Sequence, residues 1–100
     1  MNPRKLTLDS RVRPSDKTLF RNVEGEAVLL GLNAGSYFGL DPVGTRVWEL
    51  IAEREVLREV LRGIVAEFEV DAARAEADLL KLVSALLEKE LVELAGSSAP

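Results

Sequence analysis

The chain has 100 residues and a mass of 11.0 kDa, and 47% of its residues are apolar and 30% charged, which is the balance of one small folded domain rather than of a disordered chain. It contains no His and no Cys, so disulfides, thiolate nucleophiles, His general bases and the usual zinc or iron ligand sets are excluded. Six of the 13 Lys and Arg residues but only two of the 17 Asp and Glu residues lie in residues 1–21, so a basic front precedes an acidic body that would repel a nucleic-acid backbone.

The sequence shows no sign of membrane insertion or secretion. No apolar run approaches the roughly 18 residues that cross a bilayer. The first residues, MNPRKLTLD, lack the apolar region of a secretory signal. We therefore expect a cytoplasmic protein that has no membrane partner.

Residues 1–16 have an ambiguous pattern. Apolar and polar residues alternate weakly from Leu6 to Arg13, and the alternation stops at Pro14. Such a pattern is typical of an edge strand or of an extended N-terminal arm. Both alternatives remain open.

Three β-rich segments follow, and the spacing of the apolar residues becomes helical from about Asp41 onward. Residues 17–23 and 26–32 flank the turn signal Glu24-Gly25, which predicts a hairpin. The connection to residues 36–40 ends in Gly35, which suits a turn closed by a left-handed glycine. We predict a three-stranded antiparallel meander.

From Asp41 onward, the apolar residues recur with the spacing of a helix. Asp41 is a good N-cap before Pro42, and together they predict the start of the first helix. A second helix spans about 54–68, but no Ser, Thr or Asn stands between Ala52 and Val56 to cap it. The first two helices therefore either meet at a tight corner or run partly together. Gly63 in the interior indicates close packing or is merely tolerated.

A third helix is predicted from the cap residue Asp71 to about Lys89. Its apolar positions cover roughly half of the circumference, more than one core face requires. Either this helix packs on both helices and sheet, or part of its face binds a partner. Residues 91–94 are a short strand or an extended tail, and residues 95–100 have the composition of a disordered tail.

The remaining polar residues show no arrangement typical of catalysis. No Ser has a His or Lys at an activating spacing, and the glycines lack a phosphate-binding fingerprint. No acidic run has the spacing of a calcium loop. We therefore predict a protein that is not an enzyme and that uses neither a cofactor nor a metal.

Residues 36–40 are the most suggestive segment. Tyr37 and Phe38 are adjacent, so in a strand their rings point to opposite faces. If this strand ends the meander, its outer edge is unpaired and can accept a further strand from a peptide. The alternative is that the protein covers this edge with its own N-terminal arm.

These residues also carry a family resemblance. From Val28 to Leu50 the sequence reads VLLGLNAGSYFGLDPVGTRVWEL, and FEVD at 68–71 and AEADL at 75–79 follow. Over about residues 18–94 the chain resembles the precursor-peptide recognition domains typified by pyrroloquinoline-quinone biosynthesis protein D. The most specific part is a Gly-x-aromatic-aromatic-x-Leu-Asp-x-x-Gly-x-x-x-Trp run, formed by Gly35, Tyr37, Phe38, Leu40, Asp41, Gly44 and Trp48.

The resemblance implies a winged helix-turn-helix-like α+β fold, with a three-stranded antiparallel sheet followed by three helices. It implies that residues 17–94 bind the leader of a ribosomally synthesised precursor peptide and perform no chemistry themselves. A chain of this length is most similar to the small recognition proteins of lasso-peptide biosynthesis. In those systems the precursor is delivered to a leader protease and a cyclase, which are the implied enzyme partners.

In the family, the leader lies antiparallel along the third strand, in a cleft between that strand and the third helix. The resemblance therefore implies a leader-binding site with a strand part and a helix part. The strand part is Ser36, Tyr37, Phe38, Gly39 and Leu40, where Tyr37 or Phe38 would line a pocket for an apolar leader residue. The helix part is Ala75, Asp78, Leu79 and Leu82. We also expect Arg74, Lys81 or the basic front to attract acidic leader residues.

The chain departs from the family at residues 52–56, where a Gly-containing turn and a Ser or Thr cap are usual. The main alternative function is a winged-helix DNA-binding or regulatory domain, because a fold does not determine a function. Acidic residues outnumber basic ones on the predicted third helix, which suits a DNA groove poorly. We therefore expect no nucleic-acid partner.

Overall fold

The computed structural model describes residues 6–24, 26–32 and 35–95. The predicted tail at 95–100 lies outside these ranges except for Ala95. In chain order the elements are β1 (Val12–Pro14), β2 (Thr18–Val23), β3 (Glu26–Gly31), β4 (Tyr37–Leu40), α1 (Pro42–Arg54), α2 (Leu57–Glu67), α3 (Ala72–Glu88) and β5 (Val92–Leu94). This α+β arrangement, with a three-stranded antiparallel sheet before three helices, confirms the predicted winged-helix-like fold class.

The main sheet has the strand order β2-β3-β4, as the meander predicts. Gly35, which precedes β4, has a φ of 67° and confirms the left-handed turn. Leu29 and Phe38 are opposite each other on the inner face, which packs on the helices. Leu30 and Tyr37 are opposite each other on the outer face and are exposed.

The N-terminal segment forms a strand, but this strand does not join the meander. β1 pairs antiparallel with β5 in a separate two-stranded sheet, with Val12 opposite Leu94. Arg13 adds an ion pair with Glu93 at 2.9 Å. The segment 91–94 is therefore partly a strand, and β1 leaves the outer edge of β4 uncovered.

The caps of α1 and α3 are the predicted ones. The Asp41 carboxylate accepts a hydrogen bond from the Gly44 N–H at 2.7 Å, and the Asp71 carboxylate accepts one from the Arg74 N–H at 3.0 Å. Each carboxylate satisfies an N–H that has no partner within its helix. These two caps determine where the helices beside β4 begin.

The corner between α1 and α2 is tight, and the N-terminal segment supplies its cap. Val56 has no side-chain cap for α2, so the first free N–H groups of that helix need other partners. The Leu57 N–H donates to the Ser10 carbonyl at 3.1 Å, and the Arg58 N–H donates to the Leu8 carbonyl at 2.9 Å. Main-chain carbonyls therefore replace the Ser or Thr of the family pattern.

The apolar side chains form two core clusters. The first consists of Val12, Val47, Leu50, Ile51, Leu57, Val60, Ile64, Leu79 and Val83. The second consists of Ala27, Leu29, Leu40, Trp48, Leu86, Leu91 and Val92. Helices α1 and α3 contribute to both clusters, so the wide apolar face of α3 is largely covered by the protein itself. Ala72, which the periodicity places on the core face of α3, is exposed.

Close packing explains the glycine within α2. A Cβ atom at Gly63 would lie 2.8 Å from the Leu50 Cδ1 atom, which is too close for an undisturbed core. Arg46 of α1 also binds the end of α2, since its Nε donates a hydrogen bond to the Glu67 carboxylate at 2.8 Å. This hydrogen bond lowers the pKa of the Glu67 carboxyl.

Among the helices of the described ranges, none is long and apolar enough to cross a membrane.

The corner between α1 and α2 contains a residue in a strained backbone conformation. Glu55 has a φ of 67°, a conformation that strains a residue with a Cβ atom. We expect Glu55→Gly to raise the free energy of unfolding by about 1 kcal/mol. The matched control Glu53→Gly, in the last turn of α1, should lower it by about 1 kcal/mol, because glycine weakens a helix interior. Urea unfolding of both variants measures the difference, and equal effects would contradict the strain at Glu55.

Candidate functional site

An apolar groove of about 640 Å³ opens beside β4. Residues of β4, α1, α2 and α3 line it. Its floor is formed by buried side chains, among them Leu40, Val47, Ile64 and Leu79. Its rim is formed by exposed residues, which include Gly39, Val70 and Asp78. The floor therefore belongs to the hydrophobic core, whereas exposed rim residues such as Gly39 and Asp78 do not.

Helical spacing aligns the α3 side of the groove. Ala75, Asp78, Leu79 and Leu82 follow the i, i+3, i+4, i+7 pattern of one helix face. Ala75 and Leu79 are buried, Leu82 is half-buried and Asp78 is exposed. Asp71, the cap of α3, lines the groove together with this face of the helix.

The structure brings seven of the nine predicted site residues together in this groove: Phe38, Gly39, Leu40, Ala75, Asp78, Leu79 and Leu82. The other two, Ser36 and Tyr37, are not among the residues that line it. Ser36 precedes β4, and its buried hydroxyl, near Gly31, has no hydrogen-bond partner among the described residues. The Tyr37 ring lies on the outer face of the sheet and is 71% exposed. Of the two adjacent rings, only Phe38 therefore faces the groove.

Sequence reasoning missed the part of the site that α1 and α2 supply. Val43, Val47, Leu61 and Ile64 line the groove, although the helical period marks them only as core residues. Periodicity shows which face of a helix is apolar but not which part of that face remains uncovered. Nothing in the sequence distinguishes these residues from the rest of the core.

The outer edge of β4 is the second feature of the site. Within the described part of the chain, β4 pairs only with β3. The Gly31 N–H donates to the Ser36 carbonyl at 2.8 Å, which makes these two residues a hydrogen-bonded pair. Because hydrogen-bonded and non-hydrogen-bonded pairs alternate along an antiparallel ladder, Phe38 and Leu40 direct their backbone groups toward β3. Tyr37 and Gly39 therefore direct theirs toward the open edge.

The rim of the groove is more acidic than basic. Asp41, Asp71 and Asp78 line it together with one cation, Arg74. Asp41 and Asp71 already accept helix N–H groups, whereas Asp78 has an exposed side chain. Lys81 is not among the lining residues. The attraction of acidic leader residues by Arg74, Lys81 or the basic front remains a prediction. No three acidic side chains within residues 6–24, 26–32 and 35–95 form a metal-ligand group.

The sequence of the chain matches a known protein family. The family model for coenzyme PQQ synthesis protein D (PqqD) matches residues 26–92, which include β3, β4, the three helices and the start of β5. The chain belongs to the PqqD family. No curated protein matches it.

Two solved structures resemble this PqqD-family chain. The first is TbiB1 in complex with the TbiA(beta) leader peptide, which is 40% identical in sequence. It aligns with a TM-score of 0.74 over 87% of this chain and 99% of TbiB1. The second is lasso peptide synthetase B1 complexed with the leader peptide, with a TM-score of 0.74 over 83% of this chain and 98% of that one. At 22% identity, this second likeness supports the fold alone.

The floor and the rim of the groove should differ in their contribution to stability. Leu79→Ala should lower the free energy of unfolding by about 2–4 kcal/mol, because Leu79 is only 3% exposed and belongs to the first core cluster. Asp78→Ala, one residue away on the rim, should change it by less than about 0.5 kcal/mol. Urea denaturation of both variants measures these values. A small effect at Leu79 would show that the floor of the groove is not part of the core.

Proposed function

We propose that this protein binds the leader segment of a ribosomally synthesised precursor peptide and acts as an adaptor without catalytic residues. The observation that carries the proposal is a strand edge that no other described strand pairs with, beside an apolar groove, in a chain 40% identical to a protein solved with a leader peptide bound. The leader would add to the sheet as a fourth strand, antiparallel to β4. This is the β-augmentation mode of peptide recognition.

The edge and the groove would have separate tasks. The N–H and C=O groups of Tyr37 and Gly39 would pair with the leader main chain, which gives affinity but little sequence discrimination. Every second leader side chain would point to the inner face, where Phe38 and Leu40 lie, and would enter the groove. Apolar leader residues at these positions would bury their side chains against Leu79 and Leu82, which gives selectivity.

The delivery step belongs to the same proposal. A bound leader holds its precursor at one face of a small domain, and modifying enzymes can meet the precursor there. For a lasso-peptide system these enzymes would be a leader protease and a cyclase. The acidic excess on α3 supports a peptide rather than DNA as the ligand, since an acidic helix suits the major groove poorly.

Direct titration tests the proposal. The probe is a synthetic leader peptide of the precursor encoded nearest to the gene of this protein, and the TbiA(beta) leader peptide is a second probe. We expect saturable binding to the first probe by calorimetry, and at least about tenfold weaker binding when its apolar residues are replaced by Ala. A duplex DNA at low salt is the negative control. A folded protein that binds DNA but neither peptide would contradict the proposal.

A scan with single N-methylated amides along the leader tests the strand pairing. N-methylation removes one main-chain donor, so only alternate positions within the paired segment should weaken binding, by about tenfold each. On the protein side, Tyr37→Pro removes an outward N–H and should bind less tightly than Tyr37→Ala, which keeps it. Uniform loss along the leader, or equal affinities of the two Tyr37 variants, would exclude pairing at this edge.

A further inference from the structure

Gly39 has no structural reason to be a glycine in the free protein. Its φ lies outside the left-handed region, and a Cβ atom built on it meets no atom within 4 Å. Glycine in a strand loses conformational entropy on folding and provides no side chain for packing. Gly39 therefore weakens β4 without any benefit to the protein's own turn geometry or core packing.

The surroundings of Gly39 are apolar and exposed. It lies on the outer face of the sheet, directly opposite Val28, with Tyr37 two residues away on the same face. Leu30, opposite Tyr37, is 37% exposed, and the Tyr37 ring is 71% exposed. At the open edge, the Gly39 backbone is therefore not covered by a side chain, and the neighbouring side chains of Leu30 and Tyr37 are exposed. We call Val28, Leu30, Tyr37 and Gly39 the outer patch.

Main-chain geometry connects the outer patch to the proposed ligand. The Gly39 N–H and C=O groups point to the open edge, so a strand added there would form a hydrogen-bonded pair with Gly39. The residue of that strand opposite Gly39 places its side chain on the same face as Gly39, which is the outer one. Its Cβ atom would lie about 5 Å from the Gly39 position, so that a long side chain could extend beside the Tyr37 ring and across the Gly39 backbone toward Val28.

We propose that Gly39 is a specificity-determining residue that accepts one large apolar leader side chain, aromatic or long aliphatic, on the outer face of the sheet. This inference rests on the proposed leader binding at β4. The side chain lies across the bare Gly39 backbone, contacts Val28 and packs beside the Tyr37 ring. A cross-strand glycine with no Cβ atom is what allows this overlap. The protein therefore reads its leader on both faces of the added strand, in the groove and on the outer patch.

The test compares leader affinity and stability in variants of the full chain. Gly39→Val fills the bare patch, and we expect it to fold with unchanged or higher stability, because the space is open and valine favours strands. Its affinity for the synthetic leader of the nearest encoded precursor should fall by about tenfold. Gly39→Ala should show a smaller loss and serves as the second variant if valine perturbs folding. Leu19→Val, on the outer face of β2 and two strands from the edge, is the matched control and should bind like wild type.

Alanine replacement along the leader completes the test. One outer-face leader position should lose about tenfold affinity for the wild-type protein but much less for Gly39→Val, since the filled patch no longer accepts the side chain. Equal leader affinity of wild type and Gly39→Val would overturn the inference and leave the proposed function intact. Self-association of Gly39→Val in size-exclusion chromatography with unchanged leader affinity would also overturn it, because glycine would then only protect the edge from other strands. Absence of leader binding by the wild-type protein itself would instead contradict the proposed function.

Discussion

The fold depends on how the backbone hydrogen-bonding groups at element ends and edges find partners, because an unpaired group away from water costs free energy. At the start of α2, where no side-chain cap exists, the carbonyls of Leu8 and Ser10 take the free N–H groups. This contact holds the N-terminal segment at the helical corner, where β1 pairs with β5 rather than with β4. Among the residues that the structure describes, no strand pairs with the outward backbone groups of Tyr37 and Gly39, so solvent or an added strand can pair with them.

The position of the groove depends on how the two core clusters pack. Leu40 belongs to the cluster at the sheet, whereas Val47, Ile64 and Leu79 belong to the cluster between the helices, and all four line the groove. The groove therefore opens where the two cores adjoin beside β4. Because its floor is also core, substitutions there would change stability and the proposed leader binding together. Under that proposal, residues that would contact the leader without belonging to the core lie on the rim and at the strand edge, at positions such as Gly39 and Asp78.

Much of the fold could be predicted because the decisive signals are local. Asp41 and Asp71 cap helices through neighbouring N–H groups, and Gly35 adopts the left-handed turn that its place in the connection suggests. The site could be predicted only in part. Phe38 and Leu79 are brought to the groove, but Tyr37 lies on the outer face, since the choice of face depends on which side of the sheet the helices cover. Leu61 and Ile64 could not be recognised as site residues, because a groove-lining residue and a core residue have the same helical period.

The sequence by itself determined the meander, the three helices and the absence of His and Cys chemistry, because turn residues, caps and periodicity act over a few neighbouring residues. The tertiary structure alone decided where residues 6–14 dock and which strand edge stays open, because both depend on contacts between distant parts of the chain. The hydrogen bond from the Arg58 N–H to the Leu8 carbonyl shows the difference. Neither residue has a local pattern that indicates the other, and only the folded chain brings the donor to its acceptor.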